Sequence, residues 1–327
     1  MKAVIVQEKG QDPIYVSDFK TATVNSSTEV LMRVQAVAIK NLDRAIASGE
    51  HYSVATKPFA PFVIGTDGVG ELEDGRLAYG FGTSGMLSEY AVVPKDQMVL
   101  LPEGLDLALA AALPNALLGS AMALAVRAKL QQGEVVLING ATGVTGQLAL
   151  QLARYYGARK IIVTGRNTKS LEELKALGAD VIIPLHQNQE ELIATLQQIH
   201  KESPIDVVLD YLWGASASAI LAALKGKGTY QHKTRFVNVG AMAGDRIEVS
   251  SSILRGTDIR LLGSGIGSWT AEEMQYFFTV LAPEAFALAA KGELKLHTVS
   301  HPWESIEKAW RLPLPSGQRL VFTTDTE

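Results

Sequence analysis

The stretch VVLINGATGVTGQLALQLARYYGARKIIVTGRN, Val135 to Asn167, sets an apolar run, a glycine-spaced turn, a helical stretch and a second apolar run in succession. In Gly140-Ala141-Thr142-Gly143-Val144-Thr145-Gly146 the glycines stand three apart, after one expected strand and at the start of one expected helix. The first glycine permits a tight turn, the second lets backbone approach a pyrophosphate, and the third lets the helix pack closely on the strand. Phosphates held there would meet the free amides and the positive dipole end of the helix. Any strand-to-helix turn can use glycines, so the turn by itself leaves a purely structural reading open. The second strand, which ends roughly 25 residues past the first glycine, adds the context of a dinucleotide site.

The end of that second strand decides which dinucleotide. A site for NAD places Asp or Glu there, to bond the adenosine ribose 2′-hydroxyl. Here the strand closes Thr164-Gly165-Arg166-Asn167, with Lys169 beside it and no carboxylate before Glu172. A carboxylate would repel a 2′-phosphate, whereas Arg166 can clamp one through charge-assisted bonds. NADP(H) is the expected cofactor, the alternative being an exposed arginine at a strand end.

Outward from this stretch the rhythm persists. EVVLIN, KIIVTG, DVIIPL, IDVVLDYL, RFVNVGA and IRLLGSGI alternate with helical segments, which predicts a parallel, doubly wound α/β sheet. Before it, from Met1 to about Leu113, short runs such as KAVIV, EVLMRVQAVAI and LSEYAVVP are broken by Gly, Pro, Asp and Ser and read as a β-rich domain. LDLALAAALPNALLGSAMALAVRAKL is helical, with Pro114 expected to divide two helices. The tail predicts a long helix around Glu272–Ala290, a strand at LKLHTVS, a helix from Trp303 and a strand at QRLVFTT, packing back on the first domain.

Composition excludes much chemistry. The 327-residue chain carries a formal net charge of −4, without the single-sign field that attracts nucleic acid or an anionic membrane. It has no cysteine, so disulfides, thiolate nucleophiles and zinc-thiolate sites are unavailable. The start MKAVIVQEKG has no signal-peptide pattern, and no apolar run of about eighteen residues escapes a charge or turn signal, so a cytoplasmic protein without a spanning helix is expected.

The order of these segments resembles the medium-chain dehydrogenase/reductase superfamily, in its zinc-free quinone oxidoreductase-like branch. MKAVIV resembles the opening strand, VLMRVQAVAIKNLDRAIASG the strand, loop and helix that carry a characteristic Asp, here Asp43, and FVIGTDGVGEL the glycine-and-acid stretch, with Asp67 in the acidic position. GMLSEYAVVP and NGATGVTGQLALQLARYYGA match later motifs, with Ser88 where Ala is usual. The resemblance implies a GroES-like β-barrel catalytic domain at 1–114 and 267–327, a Rossmann domain at 115–266, an interdomain cleft for the nicotinamide, and homodimers through the Rossmann edge strand Arg260–Ile266. Departures accompany it. Zinc-dependent members place Cys in the loop before Asp43 and zinc-free ones Asn, where this chain has Lys40. The family's threonine near the domain junction falls at Gly119, and a tyrosine that contacts the 2′-phosphate falls at Leu185, which leaves that duty to Arg166 and Lys169.

Hydride transfer asks the protein for an aligned, dry pocket and for something to stabilise or protonate the product anion. Lys40 is the first catalytic candidate, against a solvent-facing loop lysine. Tyr52 is the second, against a packing aromatic. Gly240-Ala241 and Ser264-Gly265-Ile266, at strand ends where ligands sit, are further cofactor contacts, against ordinary turns. The expected function is NADPH-dependent, zinc-independent reduction of a quinone or an activated C=C or C=O bond, and the small electrophile is the expected partner. The alternative is a non-enzymatic NADPH-binding redox sensor, or a protein that binds a partner or RNA.

Overall fold

The computed structural model describes residues 1–51, 54, 58–226 and 232–324. The chain divides into two compact units, Met1–Asn115 with Met274–Glu327, and Ala116–Glu273.

The first unit opens with strands β1 (Ala3–Val6), β2 (Ile14–Val16) and β3 (Glu29–Ile39), helix α1 (Asn41–Ser48), and strands β4 (Phe62–Val63), β5 (Asp67–Glu71), β6 (Leu77–Phe81), β7 (Tyr90–Pro94) and β8 (Met98–Leu100). The long strand β3 is its spine, pairing antiparallel with β5 and β7, and its register shifts between Val34 and Ala36. Such a shift bends a strand and lets it serve more than one neighbour. Met32, Val37, Ile64 and Met86 form its core with Trp303 and Phe322 from the returning tail.

Helix α2 (Leu107–Ala121) contains Pro114 in its interior and continues as a π-helical turn over Met122–Ala128. The expected break at Pro114 does not occur. An interior proline costs a helix ~3 kcal/mol, and here the helix around it is rich in Ala and Leu, strong helix formers that are buried along most of its length. The join also corrects the expectation about apolar runs. Leu107–Ala128 is long and apolar enough to cross a membrane, but 72% of its apolar window is buried inside the protein. A core helix meets the same criterion, and that burial accounts for its composition.

The second unit alternates strand and helix: β9 (Val135–Asn139), α3 (Val144–Tyr155), β10 (Lys160–Gly165), α4 (Thr168–Glu173), β11 (Val181–Pro184), α5 (Gln189–Glu202), β12 (Val207–Asp210), α6 (Gly214–Ala223), β13 (Thr234–Asn238), α7 (Ser251–Gly256) and β14 (Ile259–Gly263). The sheet is parallel throughout, in the order β11-β10-β9-β12-β13-β14. Successive strands step outward from β9 on one side and then from β12 on the other. The carboxyl ends of those two adjacent strands are therefore the switch point of a Rossmann sheet, where ligands bind. Residues 267–273 group with this unit, where Arg127 reaches the Ser268 carbonyl and pairs with Glu273 at 2.9 Å. The tail returns to the first unit through β15 (His297–Pro302) and β16 (Gln318–Thr323), which pairs with β3. The long tail helix is interrupted by a π-helical turn at Phe277–Leu281.

Candidate functional site

In the second unit the glycine turn lies between β9 and α3. Gly140 has φ +87°, the left-handed conformation that glycine adopts without strain, and a Cβ there would meet the Leu212 side chain at 2.7 Å. At Gly146 a Cβ would strike the Ala141 Cα at 2.6 Å, so helix α3 packs on the turn only with glycine. Gly143 differs, since nothing stands within 4 Å of where its Cβ would be. The turn is thus tied down at both ends and open in the middle. Gly143 is the N-cap of α3 and offers no side chain to its amides, which leaves the first-turn N–H groups of Val144 and Thr145 without intrahelical partners. Open space beside free amides at a helix N-terminus fits an anion such as a pyrophosphate.

Arg166 and Lys169 follow the end of β10, both exposed, with no side-chain partner among the described residues. Asn167 between them is the N-cap of α4, and its side chain accepts the Ser170 amide at 3.1 Å. Its side chain therefore serves the helix and brings Lys169 into the first turn beside Arg166. At the other side of the sheet Ser264 is buried, and its Oγ has no hydrogen-bond partner among the described residues. Leaving a buried hydroxyl unpaired costs ~1–3 kcal/mol, so the group points to a ligand partner. Its neighbours Gly265 and Ile266 form an open turn closed by Ser268, and Ile266 is exposed. Gly240 lies against Tyr211, where a Cβ would meet the carbonyl at 2.9 Å, and Ala241 is exposed. These are the residues the sequence offered for a dinucleotide, and the structure sets each of them at or just after a strand end of the second unit. Missed entirely were Asn139, Asp210 and Asn238, although each is the polar residue on which its strand ends.

In the first unit Lys40 stands in the loop after β3, and its side chain is 1% exposed. Its ammonium contacts Asp67 and lies 3.2 Å from Asp43. Asp43 also accepts the Lys40 amide at 2.8 Å and the Thr66 amide at 2.9 Å, and Asp67 accepts the Tyr79 hydroxyl at 2.7 Å. Burial pulls the Lys40 ammonium toward neutrality, but Asp43 and Asp67 outweigh it and hold the group above its ordinary value. Burial and the Asp67 charge together push the Tyr79 hydroxyl well above the usual phenol range. Arg319 on β16 acts on the same two carboxylates, so two cations face two anions in the interior. Lys40 is therefore neither solvent-facing nor open to a ligand. Asp43 and Thr66 line a cavity of about 950 Å³ together with Phe19, Lys20, Asn25, Ile46, Phe62 and Phe81, and Thr66 Oγ1 bonds both Asp43 and Asp67. Tyr52, the second catalytic candidate, lies outside the described residues.

Residues 144–282 match the family described as zinc-binding dehydrogenase. Quinone oxidoreductase from Sus scrofa is 29% identical over 298 residues, covering 88% of this chain and 84% of that protein. A chloroplastic NADPH-dependent alkenal/one oxidoreductase of Arabidopsis thaliana is 34% identical over 186 residues, or 50% of this chain and 47% of its own. The quinone oxidoreductase of Thermus thermophilus, solved alone and with NADPH, superposes with a TM-score of 0.72 at 26% identity, covering 99% of this chain and all of that one. Zinc does not fit the residues present. The chain has no thiolate, no group of three His, Asp or Glu among the described residues could hold a metal ion, and the ammonium of Lys40 occupies the acidic pair. Sequence order, the switched parallel sheet and these likenesses agree: over most of its length the chain is similar to the quinone oxidoreductases.

Proposed function

We propose that the protein is an NADPH-dependent, zinc-independent oxidoreductase that reduces a quinone or an activated C=C or C=O bond. The observation that carries this reading is the second strand's end. Arg166 and Lys169 stand there unpartnered among the described residues, where a ribose-binding carboxylate would exclude a 2′-phosphate. NADP(H) is the cofactor, and when bound its reduced nicotinamide supplies the hydride. Gly143 and the first-turn amides of α3 receive the pyrophosphate, Arg166 and Lys169 the 2′-phosphate. Gly240, Ala241 and the Ser264–Ile266 turn complete the cofactor's bed, with Ser264 Oγ offering a hydrogen-bonding group that nothing else uses. Lys40, buried against Asp43 and Asp67, holds the interior of the first unit and touches no substrate. The aromatic-walled cavity beside Thr66 suits a flat, apolar electrophile in a cytoplasmic enzyme, and the names of the pig and Arabidopsis relatives support the quinone and enone classes.

The test is an NADPH-oxidation screen over quinones, enones and enoyl thioesters, with EDTA present throughout. At least one class should be turned over with EDTA in the assay. NADPH binding with no turnover of any class would instead favour the sensor reading, and activity abolished by EDTA would overturn zinc independence.

The same reading includes a homodimer through β14. This strand is the sheet's edge, and it exposes Leu261 at 40%. An edge with unpaired backbone groups and an exposed leucine is suited to pairing with a second copy about a twofold axis. Leu261→Glu should shift the mass measured by light scattering from dimer to monomer. A dimer that persists at the same concentration would place the contact elsewhere.

A further inference from the structure

Three strands of the second unit end on a polar residue and a fourth, β10, carries one at its penultimate position, and register sets these residues in one row across the sheet. Thr164 of β10 lies opposite Asn139 of β9, Asn139 opposite Asp210 of β12, and Asp210 opposite Asn238 of β13. Thr164, Asn139 and Asp210 are fully buried. Their side chains join end to end. Asn139 Nδ2 donates to Asp210 Oδ1 at 2.8 Å and to Ser216 Oγ at 2.9 Å. Thr164 Oγ1 donates to Asn139 Oδ1 at 2.6 Å, and the Gly140 amide donates to Thr164 Oγ1 at 3.1 Å.

The direction of every bond in this row follows from one group. An ionised carboxylate only accepts, so Asn139 must turn its NH₂ toward Asp210 and its carbonyl toward Thr164. Thr164 must then spend its one proton on that carbonyl, which leaves a lone pair for the Gly140 N–H. The Thr164 carbonyl takes the next amide, Ala141, at 2.9 Å. On the other side Asn238 Nδ2 donates to Asp210 Oδ2 at 3.3 Å and to the Gly240 carbonyl at 2.9 Å. Asp210 Oδ1 also accepts the amides of Leu212 and Trp213, both at 3.1 Å. That bond helps hold Trp213 at φ +57°, a conformation that costs a non-glycine residue ~1–3 kcal/mol.

We propose that Asp210 is a positioning residue for the cofactor: through Asn139 and Thr164 its carboxylate fixes the glycine turn that receives the pyrophosphate, and through Asn238 the Gly240 turn. It touches no cofactor atom. The inference rests on the NADP(H) site proposed above. Burial pushes the Asp210 carboxyl above its ordinary range, despite the hydrogen bonds from Trp213, Asn139, Leu212 and Asn238 that pull it down.

The test compares NADPH with 2′-AMP, which lacks the pyrophosphate, on the full-length protein. Thr164→Val keeps the shape and removes the hydroxyl. It should raise the Kd for NADPH about tenfold or more, while the Kd for 2′-AMP stays within about twofold. Thr164→Ser, which restores the hydroxyl, should return NADPH binding to within about threefold of the wild type. Asp210→Asn presents an NH₂ to the NH₂ of Asn238 and should also weaken NADPH selectively, with the Kd for 2′-AMP kept within about twofold. If Thr164→Val does not fold, the Asp210→Asn comparison decides alone. NADPH binding unchanged in these variants, or NADPH and 2′-AMP weakened together, would overturn the proposal. A wild-type protein that binds neither ligand would instead overturn the NADP(H) reading beneath it.

Discussion

Arg166→Ala raises the Kd for NADPH by about tenfold to a hundredfold and leaves that for NADH nearly unchanged. A hydrogen bond to a charged group is worth roughly 1.5–3 kcal/mol, which converts to that range of affinity. The guanidinium is exposed and has no competing partner among the described residues, so the wild-type side chain is free to engage the phosphate. NADH lacks the 2′-phosphate and so loses nothing with the arginine. Arg166→Lys should fall between the two, because an ammonium keeps the charge but not the fork that grips two oxygens. Calorimetric titration of both cofactors against the three proteins measures this. Equal losses for NADPH and NADH would mean that Arg166 acts on the fold of the strand end and not on the phosphate.

The second large effect is expected at Lys40. Lys40→Met leaves the buried carboxylates of Asp43 and Asp67 facing Arg319 alone, one charge short of balance, and breaking a buried pair in this way costs about 3–5 kcal/mol. Urea unfolding should show that loss, and Lys40→Met combined with Asp67→Asn should recover part of it, since the second change removes one of the stranded charges. The wild-type protein should also lose stability in alkali. The Lys40 ammonium is held above its ordinary value by Asp43 and Asp67, against burial, so its contribution is complete below the unfolded lysine's pKa, about 10.4, and vanishes as pH rises through the folded value. Tyr79 acts in the same direction, because the unfolded phenol ionises near about pH 10 while the buried one resists. Urea midpoints should therefore fall steeply above about pH 10 in the wild type. A Lys40→Met protein as stable as the wild type would show that the pair does not hold the fold together.

Much of the second unit was legible because its signals are local. Continuous apolar runs, helical segments between them and glycines at fixed spacing all lie within one stretch of chain, and α3 begins at Val144, where the sequence placed it. Pro114 misled because the local rule for proline competes with burial, which depends on what packs around the helix. Lys40 was singled out for its position, but its environment could not be read. Its partner Asp67 is 27 residues away on another strand, and Tyr79 is on a third. The row under the glycine turn was hidden for the same reason. Which polar residues stand side by side depends on strand order and register, and in β9, β10, β12 and β13 neither is local.

The Lys40 cluster also bears on how the protein comes into being. A charge delivered by an ion has to be captured after synthesis, and it can be stripped or exchanged. A charge delivered by a side chain arrives with the polypeptide. The lobe around Asp43 and Asp67 is completed when the loop after β3 meets β5 and β6. Neutralising Asp43 and Asp67 in that lobe therefore takes folding alone and no captured cation.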